Sequence, residues 1–206
     1  MKGIVLQLKK QLSKHSPGSS KLFGSPDVWN GFEWPAILDE NNCYDLDFVA
    51  QVNCAELSEY DEAGVLPKRG ILYFFYDFIS CPSDPEDKNA ARVLFYDGNL
   101  SNLSELMMID EDGVDVSVSF SRPISFSKAT VNARRAHLQM CYDTPDAEGY
   151  TVLLRLDSFS ALNGTAKFND TGCLLFLISP ESLKKRDFSD IRVKHVYKEK
   201  ANTVTV

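Results

Sequence analysis

A long apolar run is missing from this sequence, and its absence bears on where the protein works. The segment 1–20 contains only the short stretch Ile4-Val5-Leu6 before Gln7, whereas a signal peptide needs about 7–15 consecutive apolar residues. No other segment approaches the ~20 apolar residues that span a bilayer. We therefore expect a cytoplasmic protein without a membrane partner.

Paired cysteines are missing as well. The chain has five cysteines, an odd number, and no C-x-x-C pair. Disulfide frameworks of secreted domains use an even number of cysteines, and zinc ribbons use closely spaced pairs. The pattern predicts reduced thiols, in agreement with a cytoplasmic location.

Basic residues are outnumbered by acidic ones. Lys and Arg total 22 and Asp and Glu total 29, which gives a formal net charge of −7 at pH 7. A nucleic-acid partner would require a basic surface to neutralise its phosphates, so we expect none. An acidic surface attracts a basic protein partner instead.

Known catalytic motifs are absent. The chain contains no G-x-S-x-G, no G-x-G-x-x-G and no glycine-rich loop with a Walker lysine. The three histidines (His15, His137, His195) lie far apart, and none has a cysteine or carboxylate at ligand spacing. We therefore expect no cofactor, no metal site and no assigned catalytic residue.

Aromatic residues, by contrast, are plentiful. Thirteen Phe, eight Tyr and two Trp can fill a large core. The Gly-, Pro- and Ser-rich segment 16–35 carries Phe23, Trp29, Phe32 and Trp34, which a disordered linker would lack. We interpret it as an ordered loop in which Trp29 and Trp34 are candidate binding residues. They form either a wall for ligand stacking or a lid that seals the core.

The hydrophobic pattern predicts the fold class. Ile4, Leu8 and Leu12 recur every four residues, which predicts an N-terminal amphipathic helix over residues 2–15. Further along, strand-like runs such as "ILYFFY" and "CLLFLIS" outnumber helical segments. The prediction is an α+β fold, β-rich, with mainly antiparallel sheets and few short helices.

An internal repeat is visible in the spacing of similar segments. Gly70 and Gly172, each before an apolar strand, lie 102 residues apart, and Asn53 and Asp157, each at a strand end, lie 104 apart. The order of the segments is kept, which indicates an internal duplication. We expect a single domain over 1–206 with two related halves, about 22–110 and about 111–200.

Polar residues at the ends of these units are the remaining candidate site. Asn53, Asp77, Asp157 and Asp170 occupy strand ends or turns. If the halves pack about a pseudo-twofold axis, the carboxylates could converge to act as acid and base or to bind a cation. Alternatively, they accept backbone N–H bonds in turns, as Asp and Asn commonly do.

An ordered series of segments resembles a known family. The series includes "KLFGSPDVWNGFEWP", "LDFVAQVNCAEL", "LPKRGILYFFYD", "YTVLLRLDSF" and "FNDTGCLLFLISPESLKKRDFS". In this order they resemble the YwqG-like family, domain of unknown function DUF1963. The resemblance implies a β-rich domain of two related halves in a bacterial, cytoplasmic protein. It brings no established activity, although some members occur near toxin systems, which implies an immunity or other protein-binding role.

Three functions remain open from the sequence. The leading hypothesis is a non-enzymatic protein-binding module whose partner is basic or toxin-like. The alternative is a small-molecule or metal-dependent enzyme that uses carboxylates at the junction of the two halves. A structural module without a ligand is the third.

Overall fold

Strands make up most of the regular structure. The computed structural model describes residues 3–9, 16–39, 42–82, 84, 86–87, 89–107, 109, 112–113, 121–128, 138–157 and 172–197. The strands in this part of the chain are β1 (Ile4–Leu8), β2 (Lys21–Leu22), β3 (Asp27–Val28), β4 (Ala36–Asp39), β5 (Asn42–Asp45), β6 (Asp47–Asn53), β7 (Ile71–Tyr76), β8 (Ala91–Tyr96), β9 (Ser104–Glu105), β10 (Arg122–Lys128), β11 (Leu138–Tyr142), β12 (Thr151–Asp157), β13 (Gly172–Ile178) and β14 (Ile191–Tyr197). The helices among the described residues are short: α1 (Cys54–Leu57), α2 (Pro180–Lys185) and the 3-10 turns Leu100–Asn102 and Pro145–Ala147.

Ten of these strands form one antiparallel sheet. Their order is β14-β13-β12-β11-β1-β10-β2-β6-β7-β8, while β3 pairs with β9 and β4 pairs with β5. The two ends of the large sheet come together, because the Arg192 guanidinium pairs with the Glu86 carboxylate and the Phe95 and Phe188 rings lie 5.6 Å apart. The sheet therefore curls into a nearly closed, barrel-like shape.

The predicted fold class is wrong, and so is the N-terminal helix. The protein is mostly β, and residues Ile4–Leu8 form a strand in the middle of the sheet, between β10 and β11. Ile4 and Leu6 are buried and Gln7 is exposed, which is the alternation of a strand. A spacing of four residues fits the period of 2 of a strand as well as the period of 3.6 of a helix. Residues 4–8 form a strand because β10 and β11 pair with them on either side. Leu12 lies outside the described residues.

The two strand units share the same pairing register. Ala50 pairs with Phe74 in the first unit, and Leu154 pairs with Phe176 in the second, so the offsets of 104 and 102 recur. An irregularity interrupts both pairings at the same place, between Phe48 and Ala50 and between Val152 and Leu154. Matching bulges and registers show that the units are built alike.

The units also exchange their first strands. β1 pairs with β11 through Ile4 and Met140, and β10 pairs with β2 through Arg122 and Leu22. Arg122 lies 118 residues after Ile4, and Met140 lies 118 residues after Leu22. The two pairs are therefore equivalent: β1 pairs with the second unit in the same way as β10 pairs with the first. β1 and β10 then pair with each other. The halves are thus interlocked in a single sheet and do not form sheets of their own; their boundaries in the chain stay a prediction.

A single apolar cluster fills the interior. Phe74 and Phe176, which occupy equivalent positions of the two units, meet edge to face with ring centroids 5.3 Å apart. Leu6, Leu72 and Leu174 are among the other buried members of this cluster. The place where the two units meet is therefore packed with side chains.

The seam between the ends of the sheet contains a titratable contact. The Tyr76 hydroxyl donates to the Pro82 carbonyl at 2.8 Å, so its oxygen accepts from His195 Nε2 at 3.3 Å. Burial lowers the pKa of His195. A histidine with a depressed pKa binds protons more readily in the unfolded chain, so stability falls as the pH drops through about 6.5.

We predict that His195→Gln flattens this pH dependence. Glutamine can still donate to the Tyr76 oxygen but does not titrate. The free energy of unfolding in urea, measured from about pH 7 down to about pH 5, should fall less in the variant than in the native protein. Equal slopes for both proteins would show that His195 is not the responsible group.

Candidate functional site

A groove beside the β4–β5 hairpin is the candidate site. Its volume is about 450 Å³, and it opens to solvent. One wall belongs to the hairpin and the other to the chain that follows β7. It is lined by Ile37, Leu38, Tyr44, Asp45, Asp77, Ile79, Ser80, Pro82, Asp87, Asn89 and Ala90.

The groove arises where two paired segments separate. Asp47 at the start of β6 pairs with Tyr76 at the end of β7. Before Asp47 the chain forms the hairpin, and after Tyr76 it turns away, so the pairing does not continue. The Phe78 N–H donates to Asp47 Oδ2 at 3.1 Å and ties the chain after β7 to the start of β6. Burial raises the pKa of Asp47, and the charge of Asp77 raises it further.

Three carboxylates face this groove. Asp77 Oδ1 accepts from the Ile79 and Ser80 N–H groups, both at 2.9 Å, and Asp87 Oδ1 accepts from the Asn89 N–H at 2.8 Å. These bonds fix the turns and use one oxygen of each carboxylate. No described residue donates to the second oxygen of Asp77 or Asp87, or to the Asp45 carboxylate. The site therefore presents negative charge that the described residues leave uncompensated.

Large apolar side chains are exposed next to the carboxylates. Leu38 is 79% exposed, Tyr44 49% and Ile79 84%. The other large exposed hydrophobic residues of the described chain, Met107 and Ile109, do not line the groove. Isolated apolar residues on a surface are ordinary, but a cluster rimmed by polar groups marks an interaction site.

The aromatic segment forms a lid. Trp29 stacks on Tyr96 with ring centroids 4.7 Å apart, and Trp34 meets Phe75 edge-on at 5.4 Å. The Trp34 indole N–H donates to the Leu46 carbonyl at 2.7 Å. The predicted candidates Trp29 and Trp34 therefore cover the outer face of β7 and do not line the groove.

The described polar candidates bond to different parts of the chain. Asn53 caps α1, accepting from the Ala55 N–H at 3.0 Å and donating to the Gly18 carbonyl at 2.8 Å. Asp157 is almost fully buried and accepts from Arg155 Nε at 2.6 Å. Of the predicted set, only Asp77 lies in the groove, and Asp170 lies outside the described residues.

The hairpin residues of the groove were missed by the sequence reasoning. Leu38 ends the short apolar run Ala36-Ile37-Leu38, and Tyr44 follows Cys43 after four polar residues. Neither short run indicates that these side chains are exposed. Ile79 lies three residues beyond the end of the buried strand β7. These side chains are exposed because the hairpin leaves the large sheet, and the local sequence does not predict where it leaves.

A buried ion pair ties β3 to β2 of the large sheet. Lys21 Nζ and Asp27 Oδ1 are 2.9 Å apart, and both side chains are fully buried. Asp27 Oδ2 also accepts from the Gly18 N–H and from Gln51 Nε2, each at 2.6 Å. Its many donors identify Asp27 as a structural anchor.

We predict that Lys21→Met destabilises the fold by about 3–5 kcal/mol, because it leaves a buried carboxylate without its cation. The double variant Lys21→Met, Asp27→Asn removes the charge as well and should recover part of this loss. Urea unfolding of both variants measures the two values. A cost below about 1 kcal/mol for Lys21→Met would mean that the pair is not a structural anchor.

The described chain shows few other features of known sites. Within it, no three side chains among His, Cys, Asp and Glu are placed to hold a metal ion. Its helices are too short and too polar for any of them to cross a bilayer. All five cysteines are free thiols, of which Cys43 is exposed on β5.

Comparison with known proteins gives one family match. The model of a family described as "Domain of unknown function (DUF1963)" matches residues 20–143, more than half of the chain. This confirms the resemblance found in the sequence. No curated protein matches the chain.

Proposed function

The chain belongs to the DUF1963 family of unknown function, and on this premise we propose that it is a cytoplasmic protein-binding module without catalytic activity. Its groove accepts a segment of a partner that is both basic and apolar. One observation carries the proposal: exposed Leu38, Tyr44 and Ile79 lie beside carboxylates that have no cationic partner in the described chain.

Charge supports a basic partner. The formal net charge of −7 creates a negative field around the protein, and the groove brings three of the contributing carboxylates together. Such a field raises the rate of encounter with a basic protein and selects against acidic ones. A toxin that this protein neutralises is the partner class that the family resemblance suggests.

The enzyme alternative draws less support. It requires a polar cleft where the two units meet, but Phe74 and Phe176 fill the interior there. Asp157 is engaged by Arg155, and Asn53 is engaged by α1 and the Gly18 carbonyl. We therefore place the function at the groove.

The test begins with the tagged protein isolated under gentle conditions from its native host, followed by purification of the protein that accompanies it. The affinity of the pure pair is then measured for the native chain and for the triple variant Asp45→Asn, Asp77→Asn, Asp87→Asn. Asparagine keeps the turn-forming oxygens. We expect affinity to fall at least about tenfold at low ionic strength and to depend less on salt.

A matched control changes three exposed carboxylates outside the groove. The variant Glu33→Gln, Glu59→Gln, Asp97→Asn removes the same net charge and should change affinity less than about threefold. If both triple variants lose affinity equally, the groove has no special role. Failure to recover any stable partner also contradicts the proposal.

A further inference from the structure

We propose that the partner's segment binds in extended conformation, as a third strand along the free edge of β5. This inference rests on the proposed function and specifies how the groove takes its ligand. Strand addition to an exposed sheet edge is an established mode of peptide recognition.

The hairpin register shows which backbone groups are free. The Leu46 N–H donates to the Pro35 carbonyl at 2.9 Å, and Ile37 lies opposite Tyr44. In an antiparallel pair, hydrogen-bonded and non-hydrogen-bonded positions alternate, so Ile37 and Tyr44 bond to each other. The N–H and C=O groups of Cys43 and Asp45 must then point outward, away from β4.

Those groups are unpaired within the described chain. β5 pairs only with β4 in the described sheets, and the hairpin forms a separate two-stranded sheet. A lone two-stranded hairpin is marginally stable in water, and a third strand adds to its stability. A partner strand on this edge would therefore stabilise the hairpin.

The groove borders β5. Tyr44 and Asp45 line it on the hairpin side together with Ile37 and Leu38 of β4, and Asp77, Ile79 and Ser80 line the other side. A strand entering between the walls bonds to the backbone of β5 and places its side chains against both. The groove therefore has room for a strand beside the unpaired backbone groups of β5.

The side chains of β5 specify the pattern of the added strand. Tyr44 and Asp45 are neighbours, so they project to opposite faces of the hairpin. The register puts Leu38 on the Asp45 face and Ile37 on the Tyr44 face. A partner strand with alternating basic and apolar residues puts its cations on the Asp45 face and its apolar groups against Tyr44. A second copy of this chain is a poor occupant, because two such edges bring like charges together.

The test uses a synthetic peptide of about eight residues, a normal strand length, with alternating lysine and valine. Two matched peptides carry N-methyl groups on one or the other alternate set of backbone amides. Each removes the donors of one edge and keeps charge and side chains. We expect the first peptide to bind the native protein with a Kd below about 1 mM. Methylation of the peptide edge that pairs with β5 should weaken binding at least about tenfold.

Two proline variants locate the edge on the protein. Cys43→Pro removes an outward N–H from β5, and Ala36→Pro removes an outward N–H from β4 at the register position opposite Asp45. Proline is tolerated where an edge N–H faces solvent. Only Cys43→Pro should weaken peptide binding, and peptide addition should slow the exchange of the Cys43 and Asp45 amide hydrogens.

The outcomes separate this inference from the proposed function. If the methylated peptides bind as well as the first, strand addition is overturned while the groove remains a binding site. Absence of peptide binding at about 1 mM also overturns strand addition. The role of the groove is then still tested with the purified native partner. If the hairpin of the Cys43→Pro variant unfolds, the binding of the methylated peptides to the native protein still tests strand addition.

Discussion

Replacing Leu38, Tyr44 and Ile79 together by serine is expected to weaken binding of the partner about 100-fold or more. Buried apolar and aromatic anchors contribute most of the energy of an interface, at about 2 kcal/mol or more for each strong anchor. In the free protein Leu38 and Ile79 are largely exposed, and Tyr44 is 49% exposed. Their removal therefore costs little stability, and the melting temperature should stay within about 3 °C of the native value.

The control for this variant is Met107→Ser with Ile109→Ser. These residues are 63% and 59% exposed and lie outside the groove. They should leave the affinity unchanged, measured by titration calorimetry on the purified pair. An equal loss in both variants, or none in the groove variant, would move the partner to another surface.

Separating the chain into 1–110 and 111–206 is expected to abolish folding of both fragments. The first fragment keeps β1 but lacks β11, with which β1 pairs, and it loses β10, which borders β2. Each fragment thus exposes a central strand edge that the other must cover. Circular dichroism should show unfolded fragments, and mixing them should restore sheet structure and cooperative unfolding.

A substitution in the intact chain checks the same exchange. Leu6 is 4% exposed and lies opposite Phe126 in the β1–β10 pair. Leu6→Asp buries an unpaired charge and should remove the cooperative transition. Gln7→Asp, on the exposed face of the same strand, should cost less than about 1 kcal/mol. A fragment that folds by itself would show that the exchanged strands are not essential.

Buried strands were the most predictable part of this fold. The run "ILYFFY" became β7, every residue of which is buried. Gly70, which the sequence places directly before this strand, has a φ of +92°, with the site of a Cβ only 2.5 Å from the Tyr96 carbonyl oxygen. Local sequence predicts such features because hydrophobicity and backbone sterics are local.

Long-range pairing was not predictable in the same way. The N-terminal pattern of Ile4 and Leu8 fits a helix or a strand, and only β10 and β11 on either side decide between them. The site shows the same limit. Asp77 was found because a strand visibly ends there, whereas Leu38 and Ile79 were missed because their exposure depends on where the hairpin leaves the sheet.

Hydrogen exchange of the protein with and without its purified partner tests the groove most directly. We predict slower exchange over 36–45 and 77–90 in the complex, with the amides of Cys43 and Asp45 among those protected. Protection confined to other surfaces, such as 142–157 on the second unit, would contradict the account.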